Sequence, residues 1–119
     1  MSDPIFVFGS NLAGRHGAGA ALWARHHRGA VYGNGLGPQG QSYAIPTKDE
    51  NLHTLSLGEI ALYVRMFRAY ARVHPELSFE LTPIGCGLAG YKHEQIAPMF
   101  KDAPANVILP PEFKAILTG

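Results

Sequence analysis

Cysteine is nearly absent: Cys86 is the only one in 119 residues, so no internal disulfide can form. A reducing compartment is the expected setting, with the cytoplasm as the default. Charge is scarce and balanced. Ten lysines and arginines against nine aspartates and glutamates leave a formal net charge of +1 with histidine neutral. No lysine or arginine block stands out, so bulk electrostatic binding of DNA or RNA is not expected. No apolar run is long enough to span a bilayer, and Met1-Ser2-Asp3-Pro4 lacks the basic-then-apolar order of a secretion signal. No membrane partner is therefore expected. There is no internal repeat and no low-complexity tract. Zinc spacing is missing as well: His26-His27 stands alone, and His93-Glu94 lacks the later histidine of a His-Glu-x-x-His pattern. No metal and no cofactor is expected.

What the chain does have is apolar content and glycine. A hydrophobic share of 46% with 14 glycines describes one globular domain over residues 1–119, large enough for a real core. Ile5-Phe6-Val7-Phe8-Gly9 reads as a central buried strand. A glycine-rich loop, Ser10 to Gly19, follows, and then a helix over Ala18 to His27 that stops near Gly29. Five glycines between Gly29 and Gly40 predict a loop there. Ser42 to Pro46 reads as a short strand. Ser56 and Glu59 have capping-box spacing, and Leu57, Ile60, Ala61, Val64, Phe67 and Ala71 recur at helical spacing behind them. Phe79 to Thr82 is a further strand, Pro83 to Tyr91 a second glycine turn, His93 to Phe100 a short helix, and Asn106 to Leu109 a last strand closed by Pro110-Pro111. Alternating strands and helices predict an α/β layered fold with a mostly parallel sheet. Both glycine turns fall at strand carboxyl ends, where such sheets gather ligands.

Strand, glycine turn and helix make a phosphate-cradling arrangement, because glycine lets the backbone approach an anion and the first helix N–H groups point at it. Two familiar versions fail here. A Walker loop needs Gly-Lys and then Ser or Thr, whereas Ala20-Ala21 follows Gly19. A dinucleotide fingerprint needs a third glycine and an acid roughly 20 positions on, and neither is present. The plain alternative is that these glycines only allow close helix–strand packing.

Three segments, taken in order, resemble the macrodomain family, the ADP-ribose-binding fold. They are Asn11-x-x-Gly14-x-x-Gly17-x-Gly19-x-Ala21, then Tyr43-Ala44-Ile45-Pro46-Thr47-Lys48, then Ile84-Gly85-Cys86-Gly87-Leu88-Ala89-Gly90. The second and third resemble the branch whose lysine removes ADP-ribose from DNA or protein. The resemblance runs from Ile5 to about Phe100 and implies a three-layer α/β/α sandwich. It implies that Asn11 contacts the distal ribose. Gly17, Ala18 and Gly19 would line one side of a diphosphate, and Gly85, Cys86, Gly87, Leu88, Ala89 and Gly90 the other, both through backbone N–H groups, with Gly9, Ser10 and Ala20 also among the ligand-binding residues. Tyr91 would pack on a ribose or the adenine; otherwise it is a half-buried tyrosine capping the core.

Lys48 is the sharpest candidate. The resembled branch uses its lysine as a nucleophile on an open-chain sugar aldehyde or as an electrostatic aid at the ribose carbon. The alternative is an ordinary solvent-facing lysine. Two departures stand out. Ala89 occupies the position where protein-directed members carry aspartate and DNA-directed members a small residue; Asp49, Glu50, His93 and Glu94 are the candidate replacements. The aspartate turn that reads adenine in most macrodomains is not found ahead of Ile5, and Asp3 is the candidate substitute. Cys86, between two glycines without a diagnostic histidine, reads as a small buried residue rather than a nucleophile. Arg15-His16 reads as a solvated loop tip or a mobile flap. The expected function is binding of ADP-ribose or a related nucleotide with hydrolysis of an ADP-ribosyl linkage, by a monomer or weak homo-oligomer. The rivals are a non-catalytic reader of ADP-ribose or a signalling nucleotide, and a domain that kept the fold and lost the ligand.

Overall fold

The central strand of the computed structural model, which describes residues 3–119, is the one expected from the unbroken apolar run. Met1 and Ser2, half of the segment read above for a secretion signal, lie outside the described residues. The strand β1 covers Ile5–Asn11 and is followed by α1 (Gly19–His27), β2 (Gly37–Gln39), β3 (Ser42–Lys48) and α2 (Leu57–Val73). Then come β4 (Phe79–Leu81), α3 (His93–Ile96), a 3₁₀ turn over Ala97–Phe100, β5 (Val107–Ile108) and α4 (Pro111–Thr118).

The five strands form one sheet in the order β2-β3-β1-β4-β5. β3, β1, β4 and β5 are parallel, and β2 joins the edge antiparallel to β3. Successive side chains of a strand point to opposite faces, and β1 uses both. Phe6 and Phe8 pack with Ala21 and Ala24 of α1 and with Ala44. Val7 faces the larger cluster, where Tyr43, Ile45, Phe79 and Leu81 meet Ile60, Val64, Phe67 and Ala71 of α2 together with Ile96, Phe100 and Phe113. Burial on both faces explains why β1 and β3 carry no polar alternation.

Ser56 caps α2 as its spacing predicts. Its Oγ accepts the Glu59 N–H at 3.2 Å, and the Glu59 carboxylate accepts the Ser56 N–H at 3.0 Å. Two elements were not legible. β2 hides in the expected loop because Pro38 and Gly37 read as breakers, yet an edge strand tolerates proline, which needs no inner partner for a missing N–H. α4 begins at Pro111, although Pro110-Pro111 reads as the close of a strand; proline at the first helical position gives up only an N–H that has no intrahelical partner.

From β1 the chain moves to β3 on one side and later to β4 on the other. The carboxyl ends of β3, β1 and β4 therefore diverge at a switch point, which opens a crevice between the loops that follow them.

Candidate functional site

The crevice is a cleft of about 750 Å³, within the usual range for a small-molecule site. Four loops wall it: 12–18 after β1, the loop between α1 and β2 through Tyr32, 49–56 after β3 and 82–92 after β4.

The first loop is braced from beneath. The Asn11 side chain spans it, donating from Nδ2 to the Arg15 carbonyl at 3.0 Å and accepting the Arg15 N–H on Oδ1 at 2.9 Å. Gly14 turns with φ 72°, and its N–H donates to the Asn11 carbonyl at 2.9 Å. The Ser10 hydroxyl donates to the Gly35 carbonyl and ties in the neighbouring loop. His16 corrects the reading of a solvated tip. It is fully buried, edge-on to Phe8 at 5.3 Å, with Nε2 at 2.9 Å from the Asn34 carbonyl. An aromatic plug under the loop rules out a free flap at that residue. Arg15 remains exposed and lines the cleft.

Beyond this brace, Gly17, Ala18, Gly19, Ala20 and Ala21 line the cleft. They include the N-terminus of α1, whose N-cap residue Ala18 offers no side-chain cap and whose first turn holds no acid. The orphan N–H groups of that turn are left for something else. Opposite lie Gly85, Cys86, Gly87, Leu88 and Ala89. This turn spends the N–H groups of Cys86, Gly90 and Tyr91 on its own carbonyls. Among the described residues, the amides of Gly17, Gly85, Gly87 and Leu88 donate to no backbone carbonyl outside regular elements.

The glycines serve different ends. A side chain at Gly14 or Gly35 would collide with backbone, so those two serve the fold. Gly17 and Gly87 need neither a left-handed φ nor room for a neighbour, and beyond each there is nothing within 4 Å. Protein packing does not explain why these positions lack a side chain.

Lys48 stands beside Asn11 because β3 bulges. Ser10 pairs with Pro46, but Asn11 pairs with Lys48, leaving Thr47 extra. Such a bulge re-aims the following side chain. Lys48 lines the cleft, and among the described residues it makes no ion pair. Among the described residues no carboxylate lines the cleft either. Of the four candidate replacements for the aspartate absent at Ala89, only His93 is there. Asp49 is occupied with its own loop, accepting N–H groups of Asn51 at 2.8 Å and His53 at 2.9 Å; the His53 bond first, and then that of Asn51, hold its carboxyl below the usual range. Glu50 and Glu94 are exposed and outside the lining. Asp3 is exposed, accepts from Gln41 through its carbonyl, and is not in the cleft.

Gly90 and Tyr91 are placed behind the wall rather than in it. The Tyr91 hydroxyl donates to the Leu55 carbonyl at 2.6 Å and its ring packs against the core, so it braces the second turn. Gly9, Ser10, Asn11 and Ala20 all line the cleft.

Two further residues line the cleft with no motif to mark them. Tyr32, 55% exposed, comes from the loop beside Gly14. Leu52 is exposed and held at φ 65°, a conformation costing a non-glycine residue about 1–3 kcal/mol. The Asp49 side chain that holds this turn is the Asx signal by which the loop could have been found.

The Cys86 thiol is pushed up to about 11, mainly by burial, with Glu112 and Glu94 adding to it. It is a thiol at neutral pH, and its Sγ lies 3.5 Å from the Ile84 carbonyl. Alkylation by iodoacetamide at pH 8 is expected to run on the order of 100-fold slower than for free cysteine, because so little thiolate is present. Rapid labelling would contradict this environment. Among the described residues no group of three histidine, cysteine or acidic side chains is placed to hold a metal ion.

No protein-family model matches the chain, and no curated protein matches it. Among solved structures, a protein of unknown function from Bacteroides thetaiotaomicron is similar with a TM-score of 0.53, at 17% identity over 87% of this chain and 82% of that one. At that identity the likeness establishes a shared α/β fold. No helix among the described residues is long and apolar enough to cross a membrane.

Proposed function

We propose that the cleft binds ADP-ribose, or a close relative, by its diphosphate and that the protein hydrolyses an ADP-ribosyl linkage. The observation that carries the binding half is the pairing of two side-chain-poor turns across a cleft that holds Arg15 and Lys48 and no carboxylate. Unspent backbone N–H groups and a helix N-terminus suit a doubly anionic, compact group better than a sugar or an apolar ligand. Helices on both faces of the sheet support the macrodomain-like, three-layer α/β/α reading of the fold.

The catalytic half rests on Lys48 beside Asn11. Lys48 Nζ attacks the anomeric ribose carbon that carries the modified group; the bond from that carbon to the substrate breaks, and the substrate leaves with a proton. Ring opening of the lysine adduct gives a Schiff base, and water hydrolyses it to ADP-ribose and restores the lysine. Asn11 acts by holding the loop that faces the ribose. His93 is the histidine available to carry a proton. A second reading, a non-catalytic reader of ADP-ribose, is favoured by the absence of any carboxylate base in the cleft.

Calorimetric titration with ADP-ribose, followed by incubation with ADP-ribosylated DNA and protein, separates the readings. The enzyme predicts release that falls at least about 100-fold in Lys48→Ala while ADP-ribose affinity stays within about threefold. Binding without release by the unaltered protein leaves the reader. No binding at millimolar ADP-ribose removes both.

A further inference from the structure

We propose that the α1 side of the molecule is a docking surface for a single strand of nucleic acid, running from the cleft mouth along α1. The net charge of +1 conceals a segregation. Of the nine acids only Asp3 precedes Asp49, so residues 4–48 carry Arg15, Arg25, Arg28 and Lys48 without one carboxylate. That acid-free stretch builds β1, the first loop, α1, the Tyr32 loop, β2 and β3.

The arginines are fixed by rings instead of acids. The Arg25 guanidinium lies over the Tyr32 ring at 4.8 Å from its centroid, and Arg28 over Trp23 at 4.7 Å. His27 stacks on Trp23 at 4.7 Å, and Phe6 packs against the same ring. A π-face orients a guanidinium and leaves its charge and most of its N–H donors unspent. Among the described residues, Arg15, Arg25 and Arg28 make no ion pair. Attraction to the helix dipole accounts for cations in the last turn of α1, but not for the lack of any counter-charge as far as residue 48. Two acidic residues are tied to this side through the backbone. Asp3 is joined to Gln41, whose N–H donates to the Arg28 carbonyl at 2.8 Å; Glu80 shares the sheet face of Phe6 through strand pairing. Neither pairs with an arginine.

Pre-oriented guanidiniums in sequence suit a chain of phosphates. Tyr32 belongs both to this surface and to the cleft wall, and its exposed ring offers a stacking partner for an unpaired base. A duplex keeps its bases stacked on one another and cannot use that ring, which favours the single strand. The proposal needs no ligand in the cleft and stands apart from the function proposed above.

The test is fluorescence anisotropy of the full chain with a labelled oligothymidylate of about 12 nucleotides. Three phosphate contacts predict a slope of about −2 for log affinity against log salt, or about a 20-fold loss between roughly 50 mM and 200 mM. Arg25→Glu with Arg28→Glu is expected to weaken binding at least about 10-fold. Arg65→Glu with Arg72→Glu, the same charge change on α2 across the sheet, is expected to leave it within about twofold. ADP-ribose titration of Arg28→Glu alone, whose guanidinium rests on Trp23 outside the cleft lining, should match the unaltered protein, so this idea and the cleft reading fail separately. If the glutamate pair does not fold, Arg25→Gln with Arg28→Gln replaces it. The proposal is overturned by no binding at low salt or by equal loss in the α1 and α2 variants. Tighter binding of a duplex overturns it too, as does binding of phosphatidylserine vesicles in place of the oligonucleotide.

Discussion

Gly17→Glu is expected to abolish the proposed ADP-ribose binding, by at least about 100-fold, while the melting transition stays within about 1 kcal/mol of the unaltered protein. Two facts combine to predict so clean a separation. Gly17 is exposed, has no left-handed φ, and faces open space, so the folded chain accepts a side chain there. Gly17 also lines the cleft, where a carboxylate would meet the proposed diphosphate at close range with little water between them. Gly17→Ala, which adds bulk without charge, should cost about 10-fold by the same reasoning. Gly19, the more obvious choice from the motif, is the poorer probe. Its φ of +57° strains any replacement and would mix a folding defect into the result. Calorimetric titration beside a thermal melt reads both quantities. A Gly17→Glu protein that melts normally and binds ADP-ribose with unchanged affinity would remove the diphosphate from this loop.

Gly14→Ala should do the reverse and damage the fold itself. At φ 72° an alanine costs about 1–2 kcal/mol. Its Cβ would also overlap the backbone of Gly33 and Asn34, which cannot retreat as a flexible side chain can. Overpacking of that kind adds about 1–3 kcal/mol. A total of roughly 3 kcal/mol is a large part of the 5–15 kcal/mol typical of a domain and lowers the melting point by about 10 °C. The Gly33 N–H that donates to the Gly14 carbonyl at 2.8 Å would be displaced with it. Tyr32, next to Gly33, would shift, so ADP-ribose affinity should fall as well. Urea unfolding checks the main claim, and an unchanged midpoint would show that the two loops are not pressed together at this point.

These contrasting glycines show how far the primary structure could be read. Gly14, Gly17 and Gly19 look alike in a motif, yet Gly14 is a packing residue, Gly19 a conformational one, and Gly17 neither. His16 is a similar case. Its polar neighbours and loop setting suggested solvent, but the loop folds over it and Phe8 supplies an edge-on partner. Asp49 and Tyr91 were plausible site residues by position. Each proves to be spent on a nearby backbone group, Asp49 on the amides of Asn51 and His53 and Tyr91 on the carbonyl of Leu55. Such local hydrogen bonds depend on side-chain direction, which spacing does not encode.

The amino-acid order alone determined the β/α alternation, the central β1, the capped α2 and the two glycine turns at strand ends. These follow from periodicity, capping chemistry and backbone freedom, which act over a few residues. Tertiary structure decided what those signals leave open: the bulge that sets Lys48 beside Asn11, the burial of His16, the absence of carboxylates from the cleft, and the stacking of Arg25 and Arg28 on aromatic rings. Each of these joins residues distant in sequence or turns a side chain by a fraction of a strand register, and only the packed chain fixes such relations.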